Sequence, residues 1–511
     1  MRSCSVTTCF KLSTMTCLHR WRRESRVTPA SMLALIGAVA FLFGCSGSSK
    51  LPVPSILNVN SSTNPSSPVG LPIEINGSGF LSSPGQVVFT QSSSGIKATV
   101  APNASGWSDT GIVATVPAGN GTSSFTLPGT IEVTVVTKGG TSNAVNVDLV
   151  QTLTFDVNNV TWSTTSPLPS PLTGVRAAAV PVNDTSAYVV VTGGYDGTTN
   201  TTTVFSNSIA MDGTVGASWQ SIATTPLPLW RAHHGMAEAD PGNSLVPVDK
   251  RFIYVIGGQE NSTDAPGGTN TVFMASIDPT TGGVGTWTQL PTNLPESLVG
   301  PAVAIFNGYI YVVGGLRPDG TPSPNVYSAQ VKSDGTLGAW TTSTNPYPVG
   351  ISFATAFGFA GKLYVLDGDT NSSTDPNQQS SSGVKDARFA TARNGVVGNW
   401  TATSQTIKSR DKHITWTAFG QVIDAEGVYS GSPGSLELER SVVQPDNTLA
   451  SFNGITSSTN QIGANVYNAA VLVSPLQSPT ATPRFLLLGG QTFSATPPGA
   501  LNSTVYYNNA P

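Results

Sequence analysis

No cysteine follows residue 45 in this 511-residue chain. Cys4, Cys9, Cys17 and Cys45 all lie at the front, so the body can form neither an internal disulfide nor a thiolate metal site. Histidine is scarce too: His19, His233, His234 and His413 are the whole supply, and no metal or other cofactor is expected. Charged residues make up 10% of the chain. Lys, Glu and Leu are thin, which disfavours a helical protein. The apolar run at 32–43, MLALIGAVAFLF, has twelve residues, short of the ~20 needed to span a bilayer as a helix. Nucleic-acid binding also lacks its footprint. Residues 1–45 hold six basic side chains and one acid, leaving 18 basic against 27 acidic beyond them, net −9 with no Lys/Arg cluster.

What the chain has in quantity is turn chemistry. Gly numbers 53 and Pro 37, and Ser, Thr and Asn are abundant. Gly and Asn reach the positive φ angles of tight turns at little cost, so the composition predicts an all-β protein. The length allows two or three domains.

The front of the chain reads as an export signal. The basic stretch Arg20-Trp-Arg-Arg-Glu-Ser-Arg26 precedes the apolar run, which ends at Leu42-Phe-Gly-Cys45. A short apolar core behind basic residues suits a signal peptide. Leu at −3, a small residue at −1 and then Cys45 resemble the lipobox of bacterial lipoproteins. That resemblance implies cleavage before Cys45 and lipidation of its thiol, hence a membrane partner and an envelope location, in the outer membrane or at the cell surface. Residues 1–45 are therefore assigned to the signal and 46–51 to a Ser/Gly linker.

Residues 52–150 alternate strand-like runs with Gly/Pro/Asn clusters, the pattern of a β-sandwich. Ile73-Glu-Ile alternates across a sheet, and Gly77 and Gly79 permit a bend that aims Phe80 inward. Together with Pro54-Ser-Ile, Val88-Phe89, Trp107-Ser-Asp-Thr-Gly-Ile-Val-Ala-Thr-Val-Pro117 and Lys138-Gly-Gly, these runs resemble an IPT/TIG, or Ig-like, domain. Such domains act mostly as spacers or adhesion modules.

The remainder, 152–511, repeats. Strands ending in paired glycines recur at Gly193-Gly194, Gly257-Gly258, Gly314-Gly315 and Gly489-Gly490, with weaker copies at Asp367-Gly368 and near Gly427. Hairpin turns, Asp-Gly or Asn-Gly in three of five cases, lead to aromatics at Trp219, Trp287, Trp340, Trp400 and Phe452, and counted from Trp162 the intervals are 57, 68, 53, 60 and 52 residues. These marks resemble kelch repeats, and the resemblance implies a six-bladed β-propeller. The unmatched strand near Thr154–Trp162 is expected to pair with Thr504-Val-Tyr-Tyr at the other end and close the ring.

In kelch propellers the segment before the paired glycines forms the innermost strand. Polar residues recur there at Arg176, Arg231, His233, Arg410, Asp411, Lys412 and His413. They are candidates to line one channel mouth and bind an anionic or polyhydroxyl ligand, with Glu296 placed near Arg231 and Arg410. The bland alternative is that such arginines tie neighbouring blades together. Copper-radical oxidase chemistry of the galactose oxidase kind needs a Tyr–Cys crosslink, which a body without cysteine cannot form. No P-loop, Rossmann glycine pattern, GxSxG or HExxH is present. The leading expectation is a non-catalytic binding, adhesion or interaction scaffold in the envelope, with a glycan or an envelope protein as partner. The rivals are a carbohydrate-active enzyme resembling sialic-acid mutarotases and a purely structural envelope protein.

Overall fold

The computed structural model describes residues 50–509 apart from 151–160, 184–185, 211–214, 222–224, 261–266, 374–382, 419, 429–437, 445, 456–464, 467–468, 474–483 and 493–500. The signal segment, Cys45 and the linker before Lys50 lie outside the described residues. The described chain is all-β, with one 3₁₀ turn at Ala104–Gly106 between strands. None of its helices is long and apolar enough to cross a membrane.

Residues 55–150 build two facing sheets. Ser55–Val59, Pro72–Ser78 and Gly111–Thr115 form one. The other runs in the order Ser66–Pro68, Val145–Val150, Gly129–Thr137, Gln86–Gln91, Ile96–Val100. Ile73, Ile75 and Ile112 from the first meet Val87, Phe89, Val133 and Val147 from the second in one apolar core. Phe80 enters that core as expected, edge-on to Trp107 at 6.4 Å. The bend before it needs both glycines, for different reasons. Gly79 has φ +72°, whereas a Cβ on Gly77 would lie 2.0 Å from the Ser55 carbonyl oxygen.

The alternation of Pro72–Ser78 should send Glu74 to solvent, yet Glu74 is 1% exposed. Its face of the sheet is covered by the rest of the protein. Arg393 Nε and Asn307 Nδ2 both donate to the Glu74 carboxylate. Ser62 Oγ donates to the Pro241 carbonyl, and Thr63 Oγ1 donates to that of Val246 at 2.8 Å. Pro52–Pro511 is accordingly one compact unit. Residues 55–150 are therefore packed against the rest of the chain rather than standing free of it. Burial raises the Glu74 carboxyl above its usual range despite the opposing pull of Arg393.

Residues 161–509 form six antiparallel sheets of four or five strands among the described residues. Each is led by a short strand, and the six lead strands are Arg176–Asn183, Gly235–Ala239, Ala302–Phe306, Thr355–Phe359, Ile414–Ala418 and Ala469–Val473. Each lead strand lies beside the next, and the sixth lies against the first. Apolar cores fill the spaces between successive sheets. Between the fifth and sixth the filling is aromatic, with Trp416 4.9 Å from Phe485 and 6.3 Å from Trp162. Trp219, Trp340 and Trp400 each donate an indole N–H to a carbonyl of the preceding linking segment, at Ser166, Thr292 and Asn345. The repeated aromatics thus stitch neighbouring sheets as well as pack them.

Residues 154–160 of the strand expected to close on the chain's end lie outside the described residues, and the pairing is made by Trp162 and the residues around it. Thr161–Thr165 runs antiparallel to Val505–Asn509, with Trp162 opposite Asn508. Val505–Asn509 pairs on its other side with Arg484–Leu488, so the sixth sheet takes its outer strand from the front of the region.

The paired glycines serve a turn of two left-handed residues. The first has φ of +62°, +59°, +65° and +66° at Gly193, Gly257, Gly314 and Gly489. The fourth and fifth sheets keep the same geometry with acids instead: Asp367 at φ +50° and Glu426 at φ +58°. A second set of left-handed residues links the sheets. Gly174, His233, Gly300, Phe353 and Lys412 all have φ between +52° and +63°. Each accepts a backbone hydrogen bond from the next: His233 N to Gly174 O at 2.9 Å, Gly300 N to His233 O at 2.7 Å, Phe353 N to Gly300 O at 2.8 Å, and Lys412 N to Phe353 O at 3.2 Å.

Candidate functional site

The lead strands enclose a cavity of about 190 Å³ to which all six sheets contribute. Small residues are frequent in its wall, Ala177, Gly235, Ala302, Ala356 and Ala469 among them, because strands of six sheets meeting at one cavity leave little room for side chains. Its charged lining consists of Arg176, Lys412 and His413. No carboxylate lines it among the described residues.

Arg176 is half-buried, and its Nη1 donates to the Val175 carbonyl at 3.0 Å. Among the described residues no acid is paired with it. Burial alone therefore acts on its guanidinium and pulls its pKa down to about 10. Lys412 Nζ is 2.7 Å from Asp411 Oδ2 and lies 5.1 Å from the centre of the Phe353 ring. Burial pushes the Asp411 carboxyl up, with Lys412 pulling the other way. His413 Nδ1 is 2.6 Å from Asp424 Oδ1, and Thr415 Oγ1 donates to that same oxygen at 2.9 Å.

The remaining expected site residues divide cleanly. His233 is fully buried, edge-on to Phe353 at 5.8 Å between ring centres, and packs over Gly174. It is a link in the backbone chain described above. Arg231 and Arg410 occupy equivalent places in the second and fifth sheets, and both are fully buried. Arg231 donates to the Trp230 carbonyl and Thr271, pairs with Glu260 at 2.9 Å and sits 4.6 Å from the centre of the Phe273 ring. Burial lowers its pKa to about 10, with Glu260 opposing. Arg410 donates to the Glu426 carbonyl at 2.7 Å and to Glu439 at 2.9 Å, and its Nε is 3.4 Å from Asp424 Oδ2. The side-chain bonds of each arginine stay within its own sheet, and it is the backbone that reaches the preceding one, Arg231 pairing with Thr201 and Arg410 with Val384. Arg176 is not their equivalent. It pairs with Thr192 directly before Gly193, the register that Gly235 and Ile414 hold in their own sheets.

Glu296 is a correction. It was expected near Arg231 and Arg410, but it pairs with Arg317 at 2.5 Å and accepts bonds from Ser323, Asn325 and Tyr327. The loop after Gly314-Gly315 folds back and carries Arg317 to it. Burial would raise the Glu296 carboxyl, but these hydrogen bonds hold it below the usual range.

Sequence reasoning missed Asp367, Asp424 and Glu439, which cluster with His413 and Arg410. Asp367 is fully buried and accepts from Thr406 Oγ1 at 2.7 Å. Burial, and after it the Asp424 charge, push its carboxyl well above the usual range, with Thr406 and Arg410 opposing. Asp424 occupies the register position of Val255, Val312 and Val365 in other sheets. Aligning the repeats would have exposed it as an acid in a valine's place. Comparison of the chain with protein-family models and with curated proteins finds no match.

Proposed function

We propose that this chain is an envelope-anchored binding protein that holds a small anionic ligand in the cavity enclosed by the lead strands. In this reading residues 52–150 are an Ig-like sandwich of the IPT/TIG kind. The region beyond them is a six-bladed kelch-type propeller, and the cavity lies on its axis. The contact of the sixth lead strand with the first supports the propeller. The carrying observation for the ligand is the lining itself: Arg176, Lys412 and His413 reach a cavity without a lining acid among the described residues. Arg176 has its guanidinium uncompensated there, so a carboxylate or phosphate would supply the missing charge. The volume is below the ~300–1,000 Å³ of drug-sized pockets, which favours a ligand of monosaccharide size.

Titration calorimetry with an acidic monosaccharide and its neutral counterpart tests this reading. Binding of the acidic sugar alone is expected. Arg176→Ala should weaken it by roughly tenfold to a hundredfold, the value of one charge-assisted hydrogen bond of ~1.5–3 kcal/mol. Equal binding of both sugars, or of neither, overturns the anionic reading. The enzymatic rival loses its proposed acid, because Glu296 is engaged by Arg317. Product in the same mixtures would restore that rival.

Anchoring has its own test. Cys45→Ser should move the protein from the membrane fraction to the soluble fraction and abolish incorporation of a labelled fatty acid. Unchanged fractionation would remove lipid from the proposal.

A further inference from the structure

We propose that Asp367, His413 and Asp424 form a binding site for a divalent transition-metal ion, buried where the fourth and fifth sheets meet. Each offers a donor atom, and the three atoms lie within 4.8 Å of one another. Two carboxylates and an imidazole suit Zn²⁺, Co²⁺, Mn²⁺ or Fe²⁺ better than the all-oxygen ions Mg²⁺ and Ca²⁺ or thiophilic Cu(I). Metal–ligand bonds of ~2.0–2.2 Å require donors about 3–3.5 Å apart, so small side-chain rotations close the set.

Two observations point to a ligand rather than a self-contained polar knot. The first is unused coordination capacity. The His413 and Asp424 side chains are both 0% exposed, yet His413 Nε2 has no hydrogen-bond partner, and Asp424 Oδ2 meets Arg410 Nε only at an ion-pair distance of 3.4 Å. Buried donors and acceptors are rarely left so, because each costs about 1–3 kcal/mol. The second is charge. Asp367, Asp424 and Glu439 present three carboxyl groups to one guanidinium, that of Arg410. Such an excess of buried acid is met either by protonation or by further positive charge, and one divalent ion supplies the second.

The repeat makes the placement specific. Four sheets carry glycine where Asp367 stands, and four carry valine where Asp424 stands, so neither acid is demanded by the fold. Arg410, 3.4 Å from Asp424 Oδ2 and 2.9 Å from Glu439, would hold a ligand carboxylate from outside the coordination shell.

The test uses the full chain, stripped with a chelator and titrated with Zn²⁺ and with Co²⁺. Asp367→Gly is the first comparison, since glycine is the residue of four other sheets and the turn should survive. Asp424→Asn is the second. The cysteines and histidine of residues 1–45 are common to all three proteins, so differences report this site alone. The wild type is expected to bind one more equivalent than either variant, or at least ~100-fold more tightly at that equivalent. Bound Co²⁺ should add visible absorption that both variants lack, and Zn²⁺ should raise the melting temperature of the wild type only. Equal stoichiometry, affinity and melting shifts in the wild type and Asp367→Gly would overturn the site and leave the cluster balanced by protons.

Discussion

Arg410→Met is expected to destabilise the protein by about 3–5 kcal/mol, read as a fall in the urea midpoint without a change in slope. Methionine is of similar length, so little of the loss would come from an empty cavity. The loss comes from what stays behind. Arg410 is fully buried and donates to the Glu439 carboxylate and the Glu426 carbonyl while its Nε faces Asp424. Removing the guanidinium strands Asp424 and Glu439, each no more than 1% exposed, without their counter-charge. Changing the partners as well separates this from simple packing. In Arg410→Met/Asp424→Asn/Glu439→Gln the two ion-paired carboxylates are gone and Asp367, which burial pushes toward its neutral form, is the acid left, so a large part of the stability should return. If the triple variant is as unstable as the single one, the arginine acts through packing instead. Arg231→Met should cost less than Arg410→Met, because its partner Glu260 is 37% exposed and can be solvated when the arginine is lost.

Deleting residues 504–511 should prevent the region from folding to a soluble monomer. Val505–Asn509 is hydrogen-bonded on both flanks, to Thr161–Thr165 and to Arg484–Leu488. Val505 itself is fully buried in the core shared by the first and sixth sheets. Loss of this strand strips two ladders at once and leaves Thr161–Thr165 without its one sheet neighbour among the described residues. Two open sheet edges would then face solvent, a standing invitation to aggregation. A total stability of ~5–15 kcal/mol leaves no margin for that damage. Size-exclusion chromatography and near-ultraviolet dichroism check it. A soluble monomer with a sharp melting transition would show that the closing strand is dispensable.

The two predictions draw on features that were unequally visible beforehand. Strand closure was legible because it is a counting problem. One aromatic-bearing strand at the front and one unpaired strand at the back leave a single arrangement that satisfies both edges. The all-β class was legible for a similar reason, since turn residues and alternation act locally. Arg410 was picked out too, but its role was not separable from that of Arg176. Both stand close before or at the start of a lead strand, and only the register shows that one sits between sheets while the other lines the cavity.

Glu74, Glu296 and Asp424 mark where local reading stops. By alternation Glu74 faces water, and it does so until another part of the same chain covers that face with Arg393 and Asn307. Glu296 looked available to the channel arginines because nothing in its own segment commits it. A loop some twenty residues on brings Arg317, and the pairing is made. Asp424 lies in an ordinary strand whose acid means nothing until Asp367 and His413 arrive from two other segments.

By itself, then, the amino-acid order determined the strands, the turns, the repeat and the pairing of the ends, because these depend on backbone preference and on interactions that recur at fixed spacing. Only the tertiary structure decided which polar residues share a space, which cations reach the cavity and which acids are buried together. Those outcomes depend on desolvation and on charges brought close from distant segments, and neither is a property of any local stretch.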